Sequence, residues 1–182
     1  MQAIRLLSFA LFALPLAATS VLPVSFDELA RDAEAVVSGQ IVRLEPELDP
    51  SNGYVYTRVT LRVIEAEPAL PVGSEYRFRM LGGERNGRRL RIEGMPEFQA
   101  GEEVALFLTA RPDNVFGPTV GLWQGVFFVE RADGRREVVD ASRRPLLGIR
   151  GGAVRKGRRG LDAGEVSLSN FFEAVRAARS GR

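Results

Sequence analysis

A two-residue alternation runs through the stretch YVYTRVTLRVIE, residues 54–65, and constrains the fold more than any other feature of the chain. Side chains that repeat every second residue lie on one face of an extended strand. The segment therefore predicts a strand with one face on a core and the other towards solvent. One face would carry Val55, Thr57, Val59, Leu61 and Val63, and the other Tyr54, Tyr56, Arg58, Thr60 and Arg62.

Shorter runs extend this strand pattern, and turn residues separate them. Gly39 lies inside one run and predicts a bulge or a sharp bend. The run VALFLTA is apolar throughout, which is consistent with a strand buried on both faces. Strands are predicted over 36–45, 54–65, 74–81, 104–110, 121–130 and about 133–139, whereas 82–103 is a Gly-rich excursion with at most one short strand around 89–92, and 142–160 is loop-like.

Helices are predicted at both ends of the strand region. Ser25 and Glu28 match the S-x-x-E pattern of a capping box, which predicts a short helix directly after Ser25. The segment SLSNFFEAVRAARS, residues 167–180, predicts an amphipathic helix with Ser167 as its cap. The apolar side of this last helix would carry Leu168, Phe171, Phe172 and Val175.

Six or seven strands with a helix at each end predict a mostly β (α+β) protein. The expected architecture is a small OB-like antiparallel β-barrel with a short N-terminal helix and a C-terminal amphipathic helix. The domain boundaries follow from the same patterns: a signal peptide over 1–20, the barrel domain with its N-terminal helix over 21–142, a basic Gly/Arg-rich connector over 143–166 and the C-terminal helix over 167–182.

The first twenty residues have the pattern of a secretory signal peptide. A short basic start, MQAIR, precedes the apolar run LLSFALFALPLAA, and the small residues Ala18 and Ser20 stand before a cleavage point at Val21. The run is too short to span a bilayer as a helix. We therefore expect an exported protein, periplasmic or extracellular, without an integral membrane span after cleavage.

Two residue types are absent from the sequence, and their absence excludes several kinds of chemistry. The chain has no cysteine and no histidine. Ser-His and Cys-His catalytic pairs are therefore impossible, as are the usual zinc sites and disulfides. We expect no cofactor, no metal and no catalysis. A hydrolase that uses two carboxylates stays open as an alternative, because the sequence alone cannot show two acids facing each other across a substrate.

Charge is unevenly distributed along the chain. Residues 21–142 carry 14 basic and 20 acidic side chains, a net −6, whereas residues 143–182 carry 10 basic and 3 acidic, a net +7. The basic stretch could bind anionic lipid, acidic glycan or nucleic acid. Alternatively it is a solvated linker or lies against the acidic body. The candidate polyanion-binding residues are Arg143, Arg144, Arg150, Arg155, Lys156, Arg158 and Arg159.

The polar face of the strand predicted over 54–65 is a second candidate site. OB-folds bind oligonucleotides and oligosaccharides by stacking on aromatic rings and by charge. Cross-strand packing is the structural alternative. The candidate binding face consists of Tyr54, Tyr56, Arg58 and Arg62, with Tyr76, Arg77, Phe78 and Arg79 on the following strand.

The stretch GLWQGVFFVE, residues 121–130, places a glutamine inside the most apolar run. Gln124 either bonds to backbone at a bend of the strand, as buried polar groups usually do, or faces a ligand in the barrel mouth. The first interpretation is favoured. Gly121, Trp123, Gln124 and Gly125 are therefore candidate structural residues.

The order of these segments resembles a family of exported bacterial proteins of unknown function. The segments that carry the resemblance are AEAVVSGQIV (33–42), YTRVTLRVIEAE (56–67), MPEFQAGEEVALFL (95–108) and GLWQGVFFV (121–129), with a Gly-Gly loop between the second and third. More remotely, the layout is similar to the OB-fold barrel of netrin-like domains, which include the tissue inhibitors of metalloproteinases. Those inhibitors depend on an amino-terminal cysteine and disulfides, and this chain has none, so no inhibitory residue is carried over.

The sequence as a whole predicts a non-catalytic interaction module that binds another envelope or secreted protein. The resemblance implies that this partner could be a protease. A protein partner predicts binding that depends on loops such as 82–101 and survives moderate salt. The alternative, binding of anionic lipid, glycan or nucleic acid through the basic segment and the Tyr/Arg face, predicts a steep salt dependence. The sequence leaves the oligomeric state open.

Overall fold

The computed structural model describes residues 22–109, 117–132 and 134–181. The predicted signal peptide over 1–20 lies outside the described residues. The helices are α1 (Phe26–Asp32) and α2 (Leu168–Ser180), with a short 3₁₀ helix η1 (Leu122–Gly125). The strands are β1 (Ala35–Leu48), β2 (Val55–Glu67), β3 (Glu75–Leu81), β4 (Gly83–Arg85), β5 (Arg88–Leu90), β6 (Glu103–Leu108), β7 (Val126–Ala132), β8 (Arg135–Asp140), β9 (Leu146–Arg150) and β10 (Ala153–Lys156).

Six strands form one antiparallel sheet in the order β3-β2-β1-β6-β7-β8, which confirms a mostly β chain with a helix at each end. No pairing joins the edge strands β3 and β8 among the described residues, so the sheet of the predicted barrel is not closed. The backbone of β8 is bonded elsewhere: the N–H of Val138 donates to the carbonyl of Val166, and the N–H of Asp140 to that of Arg144. A closed barrel would need these backbone groups to pair with β3. They are already bonded to residues 144 and 166 instead.

Strand β1 is long, irregular and shared by two neighbours. It pairs with β2 along almost its whole length and with β6 only over its first half, to Gln40. Its register against β2 shifts between Ser38 and Gly39 and again between Ile41 and Arg43. The predicted bulge at Gly39 is confirmed. Because bulges bend a strand and increase its twist, they allow the second half of β1 to leave β6 and to continue beside β2 alone.

The sheet is buried on both faces at its centre. All six residues of β6 are buried, as the apolar run predicts. On one face α1 and α2 pack over the sheet, and the Phe26 ring contacts the Phe107 and Phe171 rings edge-on at 5.5 and 5.3 Å. On the concave face the segment of residues 92–98 covers the core, and its Phe98 ring contacts both Phe78 of β3 and Phe128 of β7. This segment therefore links β3 and β7 across this face of the sheet.

Both helices begin as the sequence predicts. The Ser25 hydroxyl accepts from the N–H of Glu28, and the Glu28 carboxylate accepts from the N–H of Ser25, so the capping box is complete. The Ser167 hydroxyl accepts from the N–H of Asn170 at the start of α2. At the other end of α2, the Arg179 guanidinium donates to three carbonyls, those of Ala33, Glu34 and Glu67.

Three segments differ from the prediction. Residues 122–125 form η1, and the strand predicted from 121 begins at Val126, because Gly121 and Leu122 both have positive φ and cannot continue a strand. Residues 83–90 form a hairpin around Asn86-Gly87, and residues 146–156 of the predicted connector form a hairpin around Gly151-Gly152. Both central residues of each turn have positive φ, the conformation of a two-residue hairpin loop.

Candidate functional site

An apolar cleft of about 270 Å³ opens at the concave side of the sheet, where β1, β2 and β3 meet the β4–β5 hairpin and residues 91–98. We call it the mouth cleft. Pockets of this kind, mostly apolar with a few polar groups at the rim, are the usual form of a binding site. Its floor includes Leu44, Pro46, Val59, Met80, Leu90, Ile92, Met95 and Phe98, and its charged residues are Glu84, Arg89, Arg91 and Glu97.

The local sequence explains how the hairpin comes to cover this cleft. Gly83 has φ +133°, and a Cβ at this position would lie 2.4 Å from Oγ1 of Thr57, so the chain can leave β3 this close to β2 only with glycine. The Thr57 hydroxyl donates to the carbonyl of Gly82 at 2.7 Å and fixes the crossing. The Asn86-Gly87 turn then returns the chain, and Leu90 faces the cleft.

A second crevice lies between the start of α1, η1 and the β9–β10 hairpin, and it contains the buried carboxylate of Asp140. Burial raises the pKa of this carboxyl, but hydrogen bonds from Arg144 and the charge of Lys156 together outweigh it and hold the pKa below its ordinary value. The carboxylate also accepts from the N–H of Ser142. These bonds fasten the turn after β8, so Asp140 acts in the structure as an anchor for its neighbours.

Most of the candidate polyanion-binding residues are engaged by acids of the same chain. Arg143 pairs with Glu102 and Glu130, and its guanidinium lies 3.5 Å from the centre of the Phe128 ring, so it covers the concave core. Arg150 and Arg159 are exposed, without an ion pair among the described residues. The remaining pairs are Arg144 and Lys156 with Asp140, Arg155 with Glu165, and Arg158 with Asp162.

The candidate Tyr/Arg face is only partly assembled. Tyr54 is 51% exposed, but Tyr56 is only 8% exposed because the Arg79 guanidinium lies over its ring at 3.6 Å. Arg58 donates to Glu47 at 2.6 Å, and Arg62 is exposed. The grouping with the next strand was wrong in part: Arg77 and Arg79 share this face, whereas Tyr76 and Phe78 point to the concave core, because β3 also alternates.

The candidate structural residues belong to η1, with Gly121 as its N-cap and the other three inside it. Gly121 has the left-handed backbone conformation, and Gly125 is buried. Trp123 packs against the concave core, and a Cβ added at Gly94 would lie 3.4 Å from its ring. Gln124 does bond to backbone, but not at a bend of its own strand. Its side chain bonds to the backbone of Leu22 and Val24, in the segment before α1.

The sequence predicts residues 82–101 as a binding loop, and part of the cleft lining lies in this range. It does not single out any individual residue of the cleft as a site residue. Asn-Gly between Arg85 and Arg88 is a strong indication of a two-residue hairpin turn. The prediction missed it because other glycines nearby made the whole segment look like a loop. The floor residues come from separate parts of the chain, so no sequence spacing brings them together.

The described residues show no sign of a metal site or of a membrane-spanning helix. No group of three or more acidic side chains is arranged to hold a metal ion in the described ranges. Neither α1 nor α2 has the length and apolar character needed to span a bilayer.

A scan against protein-family models and searches of curated proteins and solved structures find no significant match to this chain.

Proposed function

We propose that the chain is an exported, non-catalytic interaction module that binds another envelope or secreted protein through the mouth cleft. One observation carries the proposal: the cleft opens to solvent and is lined mainly by apolar side chains, with charged side chains among them. An apolar pocket with a polar rim is the form in which protein interfaces take up an anchoring side chain.

The surroundings of the cleft also suit a protein partner. Tyr54 and Leu48 stand exposed on either side of the β1–β2 turn. A Cβ added at Gly53 in that turn would lie 3.8 Å from Nη1 of Arg88, so the turn and the β4–β5 hairpin are neighbours. Tyrosine and arginine are enriched at interfaces because each combines an apolar body with a polar end.

The proposed architecture is OB-like, with the barrel left partly open. The arrangement of β1 supports this description, since it is bent and pairs with β2 along its length but with β6 over its first half. OB-folds are partly open barrels that use their loops and one strand face to bind extended ligands. The β4–β5 hairpin and residues 91–98 would then be the loops that shape the ligand site.

Affinity capture with a matched pair of variants tests the proposed function. Residues 21–182 would be immobilised as wild type, as Leu90→Asp, which puts a charge in the cleft, and as Leu161→Asp, which puts one at a side chain that is already 73% exposed. We expect one protein from envelope extract or culture supernatant to be retained at high salt by wild type and Leu161→Asp, and lost with Leu90→Asp. Capture of lipid, glycan or nucleic acid that disappears with salt in all three would contradict the proposal and favour the polyanion alternative.

A further inference from the structure

We propose that the partner segment bound in the mouth cleft is acidic, with a bulky apolar side chain in the cleft and carboxylates beside it that bind Arg85 and Arg88. The inference rests on the proposed function and adds the chemistry of the partner. It starts from the β4–β5 hairpin, where Arg85 and Arg88 are direct cross-strand neighbours.

The hairpin holds two like charges together, and its one acid, Glu84, forms no ion pair with either of them among the described residues. Like charges directly opposite each other destabilise a strand pair. Both side chains are exposed, and neither forms an ion pair with any residue that the structure describes. By contrast, the nearby Arg89 and Arg91 share the carboxylate of Glu97, at 3.9 and 3.4 Å. A carboxylate from outside the chain would remove the repulsion between Arg85 and Arg88.

The position of these two arginines connects them to the cleft. Arg88 and Leu90 are two residues apart on β5, so they project to the same side of the hairpin, and Leu90 lines the cleft. Arg85 pairs with Arg88 in register and shares that side. A segment whose apolar side chain contacts Leu90 would therefore pass directly beside both guanidinium groups, which bind carboxylates well because of their planar shape.

The contrast with the basic segment 143–159 gives the inference its specificity. Of its seven cationic side chains, five are paired with acids of the same chain. The β4–β5 hairpin carries fewer cations than the basic segment, but its Arg85 and Arg88 lie next to an apolar cleft. An acidic segment with one apolar anchor fits this pairing better than a uniform polyanion does, because a polyanion leaves the cleft unfilled.

Peptide selection tests the inference directly. A phage-displayed library of random dodecamers would be selected on wild-type residues 21–182, and the enriched peptides would be measured by fluorescence anisotropy. We expect them to combine a bulky apolar residue with neighbouring Asp or Glu. Their Kd should weaken about tenfold or more for Arg85→Gln/Arg88→Gln. The matched variant Arg155→Gln/Arg158→Gln, which removes two cations elsewhere, should bind as wild type does.

The failing outcomes separate the two proposals. Peptides without an acidic excess, no enriched peptide at all, or equal binding to Arg85→Gln/Arg88→Gln would overturn the inference. If the selected peptides lack an acidic excess but lose binding with Leu90→Asp, the proposed protein binding at the cleft stands and only the acidic character of the partner is wrong. If Leu90→Asp also has no effect, the proposed function falls as well.

A stability measurement provides an independent readout. Arg88→Glu converts the repulsive pair with Arg85 into an attractive one, so the free protein should gain a small increase in Tm. The same change should abolish binding of the acidic peptides. A lower Tm would contradict the reading of this pair as a repulsive one.

Discussion

Gln124 and Val24 are joined by a hydrogen bond of 2.8 Å, from the backbone N–H of Val24 to Oε1 of Gln124, although 100 positions separate them. The other end of the same amide, Nε2, donates to the carbonyl of Leu22 at 3.1 Å. The side-chain amide of Gln124 has a donor and an acceptor, as a backbone peptide group does. It therefore bonds to the backbone of the segment before α1 in the way that a neighbouring strand would. Gln124 thereby fixes the direction in which the chain enters α1.

Gln124→Ala should release this segment. The change removes two hydrogen bonds, and we expect the free energy of unfolding to fall by about 1–2 kcal/mol, with faster hydrogen exchange at the Val24 amide. Gln99→Ala is the control, because Gln99 is exposed. Equal exchange rates at Val24 in the variant and the wild type would show that the amide does not hold the segment.

Gly125→Ala should destabilise the protein strongly. A Cβ at this position would lie 2.3 Å from the carbonyl oxygen of Val120 and 3.3 Å from Cβ of Phe107, so backbone must move. We expect a loss of about 2–3 kcal/mol in urea unfolding. Gly148→Ala is the matched control, since nothing lies within 4 Å of its added Cβ, and its effect should be near zero. Similar losses for the two variants would contradict this explanation.

Arg143→Ala should cost more stability than removal of any exposed arginine of the basic segment. Its side chain is 26% exposed, lies over the Phe128 ring and pairs with Glu102. Losing the ring contact and leaving Glu102 unpaired should cost about 1–3 kcal/mol. Arg158→Ala, at a side chain 76% exposed, should cost less than about 0.5 kcal/mol. The comparison is made by urea unfolding, and equal costs would show that Arg143 is merely a surface cation.

The Asp49 carboxyl gives the fold an acid-sensitive contact. Hydrogen bonds from the Ser51 hydroxyl and from Arg79 lower its pKa from 3.8 to about 2. Because the folded-state pKa lies below the unfolded one, the contribution to stability is complete above about pH 4 and is lost as the pH falls towards 2. The stability difference between wild type and Asp49→Asn should therefore shrink across that window.

Carbon-detected NMR titration of Asp49 checks the same contact directly. We expect a midpoint near 2 in the wild type. Ser51→Ala removes the strongest of the donors to this carboxyl and should move the midpoint upwards, towards 3.8. A midpoint that does not change in Ser51→Ala would disprove the assigned cause.

The sequence predicts the elements whose signal is local and periodic. The alternation of β2, the apolar run of β6 and the two serine caps each depend on side chains within a few positions. Turn chemistry was harder to interpret. Asn86-Gly87 and Gly151-Gly152 each form a hairpin with very short strands, too short to show a period of their own.

The candidate site could not be predicted because its parts are joined only by tertiary structure. Leu44, Val59 and Met80 reach the cleft from three strands, and Ile92 from the segment that covers them. Charge was misleading for a related reason. A run of cations such as 143–159 is conspicuous in sequence, but no spacing shows that acids neutralise it. Asp140, Asp162 and Glu165 lie near the run in sequence, and Glu102 is brought to Arg143 by the fold.

The contact between Phe26 and Phe171 has a consequence for the order in which the protein can fold. These rings belong to the first and the last helix, and α2 supplies one wall of the core on the helical face of the sheet. That core cannot be completed until α2 has been synthesised. Contacts between such distant parts of a chain form slowly, so the late arrival of α2 delays acquisition of the native state and leaves the polypeptide unfolded for longer after it emerges from the ribosome.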